Sequence, residues 1–122
     1  MSKINIEMCL KSSEEVYKYK GKGIKRNNKL IFNDNNVKTI ITLDKTIYLE
    51  RIHDYSIKLG FCINKKIHTT YNTQEGIFNI YTDTNYIKTE ENTINIRYKE
   101  YINKIFIDEF ELFLKFGIDT IK

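Results

Sequence analysis

Tyr55-Ser-Ile-Lys-Leu-Gly-Phe61 sets Tyr55, Ile57, Leu59 and Phe61 at alternate positions, with Ser56, Lys58 and Gly60 between them. A period of two is the mark of a half-buried strand, because successive side chains leave a pleated backbone on opposite faces. The same pattern extends in both directions. Upstream, Val37, Thr39, Ile41 and Leu43 make one strand face, Asp44-Lys45 turns, Thr46 to Ile52 runs back and His53-Asp54 turns again. These adjoining segments read as a meander.

Toward the N-terminus, Ile4, Ile6, Met8 and Leu10 alternate with Asn5, Glu7 and Cys9. From Val16 to Arg26, Tyr17, Tyr19, Gly21 and Gly23 share one face while Lys18, Lys20 and Lys22 share the other. Glycines on a strand face predict a bend or a close approach of a neighbouring backbone. Asn27-Asn28 suits a two-residue hairpin turn, Lys29 to Phe32 returns, and Asn33 to Asn36 is the next turn.

Downstream, Asn64 to Tyr71 is a more polar strand carrying Ile67 and Tyr71 on one side. Phe78, Ile80 and Thr82 open another strand after Gly76, Tyr86 and Ile87 form a short element, and Ile94, Ile96 and Tyr98 face away from Asn95, Arg97 and Lys99. The segment from Ile105 to Phe116 fits two periods. Its aromatic and Ile content favours a strand with Phe106, Phe110, Leu112, Leu114 and Phe116 on one face, entered through an Asn103-Lys104 turn. The expectation is an all-β, antiparallel up-and-down barrel of about eight to ten strands, since closure removes the exposed edges on which Ile-rich strands aggregate.

At 122 residues the chain fits one domain, 1–122. Ile, Lys and Asn dominate while Ala, Pro and Trp are absent, so propensity and charge carry less information than usual. The net charge of +4 is concentrated in Lys18, Lys20, Lys22, Lys25, Arg26 and Lys29; removing those six from the 20 basic residues leaves 14 against 16 acidic ones. Two cysteines without Cys-x-x-Cys spacing imply free thiols in a reducing compartment. The N-terminus lacks the apolar core of a signal peptide and no apolar run approaches the roughly 18 residues of a membrane span. The expected location is the cytoplasm.

Tyr71-Asn-Thr-Gln-Glu-Gly76, the strand running on to Thr84, and Val37-Lys-Thr-Ile-Ile-Thr-Leu43 with the following Ile47 to Arg51 resemble the YwiB-like family of small bacterial proteins of unknown function. That family tends to show Tyr-x-Thr-x-x-Gly at the first of these stretches, and the order of strands and turns agrees from about Gly21 to Phe116. The chain departs from it in two turns, with Gln74 where the family often places Pro and His53 where it often places Gly. The resemblance implies a calycin-like (lipocalin-like) barrel. The residues explain the motif without a ligand: Gly76 supplies a positive φ at the strand entry, Thr73 bonds the turn backbone and Tyr71 packs with its hydroxyl at the rim.

Catalytic chemistry finds no constellation. Gly21-Lys22-Gly23 lacks the Gly-Lys-Ser/Thr and helix start of a phosphate loop. His53 and His68 have no metal-ligand spacing, and the acid pairs Glu14-Glu15, Glu90-Glu91 and Asp108-Glu109 fall at strand ends. No metal, cofactor or enzymatic activity is expected. Arg51 shares its parity with Ile47 and Leu49; turned inward, it needs an anion or hydrogen-bond partners, whereas at a strand end its long stem reaches solvent. The expected role is therefore non-enzymatic binding of a small apolar or amphipathic ligand, with Arg51 on its head group and Tyr17, Tyr19, Tyr55, Phe61 and Tyr71 lining the site. A barrel of eight strands has an interior just wide enough for packed side chains or one small ligand. The alternative is a filled barrel that contacts protein or nucleic acid through Lys18, Lys20, Lys22, Lys25 and Arg26. In that alternative the tyrosines of the same strand lie on the wrong face to stack on bases.

Overall fold

The computed structural model describes residues 1–118 and contains ten strands and no helix. In chain order they are β1 (Ser2–Lys11), β2 (Val16–Arg26), β3 (Lys29–Asp34), β4 (Val37–Thr42), β5 (Ile47–Ile52), β6 (Ser56–Phe61), β7 (Lys66–Thr73), β8 (Gly76–Thr89), β9 (Thr93–Ile102) and β10 (Ile105–Ile118). Every pairing is antiparallel, and the strand order is β6-β5-β4-β3-β2-β1-β10-β9-β8-β7. This is an up-and-down meander in which β1, paired with both β2 and β10, joins the two ends of the chain. Among the described residues no helix is long and apolar enough to cross a membrane.

The sheet nearly closes. β6, at one end of the order, meets β7 through the Thr69 hydroxyl donating to the Lys58 carbonyl and β8 through the Thr82 hydroxyl donating to the Gly60 carbonyl, while in the turn after β6 the Asn64 N–H donates to the Thr84 carbonyl at 2.9 Å. Side-chain hydroxyls thus satisfy carbonyls that a regular ladder would otherwise pair.

Turn chemistry fixes the register of the hairpins. Asn35 and Asn36 have φ of 49° and 67°, and Asn103 and Lys104 of 49° and 70°, the two positive angles a tight hairpin turn requires. At Thr73 to Gly76 the glycine has φ 130°, the Thr73 hydroxyl donates to the Gly76 carbonyl at 3.2 Å, and the Glu75 N–H donates back to that hydroxyl at 3.1 Å. The motif that carries the family resemblance is a built turn.

Two bulges change the faces expected from alternation. Between Thr84 and Tyr86 the register with β9 shifts, so Asn85 is the extra residue, and Tyr86 and Ile87 continue β8 instead of forming a separate element. Between Phe106 and Asp108 it shifts again at Ile107. Phe106, expected inside with Phe110 and Leu112, therefore pairs with Tyr101 on the outer surface and is 52 % exposed. A bulge inserts one residue and reverses the parity beyond it.

The interior is filled by Ile4, Ile6, Met8, Leu30, Phe32, Ile41, Ile47, Leu49, Leu59, Phe61, Ile80, Ile94, Ile96, Tyr98, Leu112 and Leu114. Phe61 and Tyr98 lie with ring centroids 4.6 Å apart at its centre. Gly23 is where β1 and β3 close on β2: a Cβ there would come within 2.6 Å of Ile6 Cδ1 and 2.7 Å of the Ile31 carbonyl oxygen. A Cβ at Gly117, opposite Asn5 on the outer face, would meet nothing within 4 Å. Gly23→Ala is expected to destabilise the protein by about 1–3 kcal/mol through overpacking, while Gly117→Ala leaves stability nearly unchanged; chemical denaturation of both variants reads the difference.

Candidate functional site

The two ends of the barrel are unlike. Because adjacent strands run in opposite directions, Ile4, Ile6, Leu30, Ile41, Ile47, Phe61, Ile94, Ile96 and Leu114 all gather toward one end, where they are buried; Leu43, Ile87 and Phe116 at its margin are half-buried. At the other end the inward positions are only partly covered: Leu10, Tyr17, Tyr19, Ile57, Tyr71, Ile102 and Phe110 pack against the core but retain exposure. This partly exposed apolar end is the mouth of the barrel.

Its opening arises between β2 and β3. These strands pair only over Ile24↔Ile31, Lys25↔Leu30 and Arg26↔Lys29, so the first half of β2 is held by β1 alone. Tyr19 and Tyr17 occupy the gap. The Tyr19 ring stacks on Phe32 with centroids 4.6 Å apart, and the Tyr17 hydroxyl donates a hydrogen bond to the Asp34 carboxylate. Tyr17 is pushed up to about 12, first by burial and then by that bond to Asp34. Tyr19 is raised as well, by burial and by the charge of Asp34.

Arg51 lies over this pair, its guanidinium carbon 5.0 Å from the Tyr17 ring centroid. Cation–π attraction holds the planar head in place. Its Nε is nevertheless buried without an acceptor, and so is the hydroxyl of Thr39, the residue opposite Arg51 in the ladder. A buried N–H of a charged group left without an acceptor is costly, and an anion placed beside it would remove that cost. On the far wall Glu100 follows Ile94, Ile96 and Tyr98 on the inward face of β9, and burial raises its carboxyl above the ordinary range.

The expected site residues thus separate. Arg51, Tyr17, Tyr19 and Tyr71 stand at the open end, Tyr71 with its ring 6.5 Å from Phe78. Phe61 belongs to the packed end and has no exposed surface. Tyr55, expected on the inward face with Ile57 and Leu59, falls in the turn before β6 and is 39 % exposed, because β6 begins only at Ser56. Asp34 and Glu100 were not expected: the first sat in an Asn-rich run that reads as a turn, though β3 runs on through it, while the second was legible from its parity with Tyr98.

Lys18, Lys20 and Lys22 do project outward from β2. They are partly answered there, Lys20 by Glu7 at 3.7 Å and Lys22 by the Asn5 side-chain Oδ1 at 2.7 Å. Cys9 and Cys62 are free thiols. Among the described residues no three His, Cys, Asp or Glu side chains converge as a metal site would require.

These features define a small antiparallel barrel of the calycin-like kind, packed at one end and open at the other. The chain belongs to the family described as Domain of unknown function (DUF1934), whose model matches residues 5–114. Among solved structures it is similar to the crystal structure of the ywiB protein from Bacillus subtilis, with 15 % identity, a TM-score of 0.58 and coverage of 94 % of this chain and 90 % of that one. The likeness shows the shared barrel fold and agrees with the resemblance read from Tyr71 to Gly76. No curated protein matches the chain.

The raised Glu100 carboxyl has a signed consequence. A folded-state value above the unfolded one adds stability below the ordinary 4.5, and that contribution is lost as pH rises through the folded value. Glu100→Gln is therefore expected to raise the melting temperature at pH 7, with the gain vanishing below pH 4.5. Thermal melts across pH check it.

Proposed function

We propose that the protein is a non-enzymatic binder of a small amphipathic molecule whose anionic head sits on Arg51 and whose short apolar portion lies in the mouth. The observation that carries this reading is the buried, unpartnered Nε of Arg51 at the one end of the barrel where apolar inward residues remain uncovered. Guanidinium is the side chain best suited to a carboxylate or phosphate, since its fork of donors matches two acceptor oxygens. Leu10, Ile57, Ile102 and Phe110 offer the apolar wall.

The packed half limits the ligand. Ile80, Ile96 and Phe61 are fully buried, so a long alkyl chain cannot run the length of the barrel as it would in a roomy lipid carrier. A short or compact tail fits the geometry better. Tyr17 and Asp34 then act as positioning groups: their hydrogen bond fixes the ring over which Arg51 lies.

The test is displacement of a fluorescent carboxylate probe by short- and medium-chain carboxylates. Arg51→Met keeps the volume and removes the charge; it is expected to weaken binding at least tenfold, corresponding to the loss of about 1.5–3 kcal/mol for a charge-assisted hydrogen bond, while the melting temperature stays near that of the parent. Equal binding by the parent and Arg51→Met would sink the proposal, as would no binding of any anionic amphiphile by the parent.

A further inference from the structure

The outer surface of β7 to β10 carries a row of rings that the lysine face of β2 lacks. Read across the ladder, His68 stands opposite Tyr81, Tyr81 opposite Tyr101, and Tyr101 opposite Phe106. His68 and Tyr81 stack with centroids 4.7 Å apart, and Tyr101 meets Phe106 edge-on at 5.6 Å. Four strands at the usual spacing make this row about 14 Å long. Two ammonium groups flank the rings: Lys66 Nζ lies 5.0 Å from the Tyr101 centroid, and Lys104 belongs to the β9–β10 turn beside them. Lys66, Tyr81, Tyr101 and Lys104 together line a groove of about 330 Å³.

We propose that this face binds single-stranded nucleic acid, with a base stacked in the Tyr81–Tyr101 groove and Lys66 and Lys104 on the neighbouring phosphates. The chemistry selects the partner. Rings alone would suit many apolar surfaces, and lysines alone would suit any polyanion, but rings flanked by cations on one open sheet face match a chain that presents flat bases and phosphates in alternation. A duplex does not offer this, because its base faces are already stacked on one another. Asp83, opposite both Lys66 and Lys99 in the ladder, offsets part of the positive charge, so stacking carries a larger share of the affinity here than in a wholly basic groove. His68 is oriented by its contact with the Asn79 side-chain oxygen at 2.8 Å, which holds the end of the row in place.

The site escaped alternation for a specific reason. Phe106 reaches the outer face only because the Ile107 bulge reverses the parity of β10. The sequence directs attention to Lys18, Lys20 and Lys22, whose strand places its tyrosines on the opposite face. On β7 to β10 rings and lysines share a face.

Fluorescence anisotropy with labelled oligo-uridine and oligo-thymidine of roughly ten nucleotides, and with a duplex of equal length, at low and moderate salt, tests the proposal. Single strands are expected to bind more tightly than duplex, with affinity falling as salt rises; the two oligomers distinguish RNA from DNA as the natural ligand. Tyr101→Ala is expected to weaken binding about 5- to 150-fold, the range typical for loss of a base-stacking ring, while Tyr101→Phe retains it. The double change Lys66→Glu with Lys104→Glu, at exposed positions that leave the core intact, flattens the salt dependence; Lys18→Glu with Lys20→Glu changes nothing. Absence of single-strand binding, equal binding of duplex, or loss on reversing Lys18 and Lys20 while Tyr101→Ala and the Lys66/Lys104 variant bind normally, each overturns it. So does a patch that captures a protein partner and no oligonucleotide.

Discussion

The architecture depends on two glycines that leave room for their neighbours. At Gly23 the side chain of Ile6 and the backbone of Ile31 approach the α-carbon so closely that no other residue fits without displacing them. There β1, β2 and β3 lie in one tightly packed layer; two residues earlier, at Gly21, the Tyr19 side chain covers the α-carbon. Beyond this point β2 stays with β1 while β3 departs, and Tyr17 and Tyr19 fill the space that opens. The closed end is thus an effect of backbone contact, and the open end of its absence.

That division separates packing from chemistry. In the closed half the inward positions carry chiefly Ile, Leu and Phe, and the buried Thr82 among them is accommodated because its hydroxyl donates to the Gly60 carbonyl. In the open half the polar inward residues Asp34, Arg51 and Glu100 are tolerated because each remains close enough to water or to a hydroxyl to offset part of its desolvation. Tyr17 connects the first two: its hydroxyl serves Asp34 and its ring serves Arg51. Burial raises both the Tyr17 hydroxyl and the Glu100 carboxyl, disfavouring the charged form of each.

Much of this was legible in the sequence because the pleat has a fixed period. From β1 to β6 the alternation of Ile4 to Leu10, Tyr17 to Gly23, Val37 to Leu43 and Ile57 to Phe61 assigns faces correctly, and Arg51 turns inward as its parity with Leu49 requires. What alternation cannot reveal is a bulge, since an added Asn85 or Ile107 alters neither composition nor local hydrophobicity while reversing every face that follows. Strand ends were also lost: Tyr55 satisfies the pattern, yet the backbone is still turning there, and Asp34 looks like turn sequence although β3 runs through it. The depth of an inward residue is a third unreadable quantity. Phe61 and Ile57 have the same parity on the same strand, but only the three-dimensional closure decides that one is sealed and the other lies at the mouth.

The account rests on the Nε–H of Arg51 being a donor left without an acceptor at the open end. Its Nε–H proton gives a separate signal in two-dimensional proton–nitrogen NMR, and titration with a short-chain carboxylate such as hexanoate reads it directly. The account predicts that the Arg51 Nε–H resonance moves on addition of the carboxylate together with the amides of Tyr17, Ile57 and Phe110, while those of Phe61 and Ile96 stay in place. An unmoved Arg51 signal, or shifts confined to the outer surface, would contradict it.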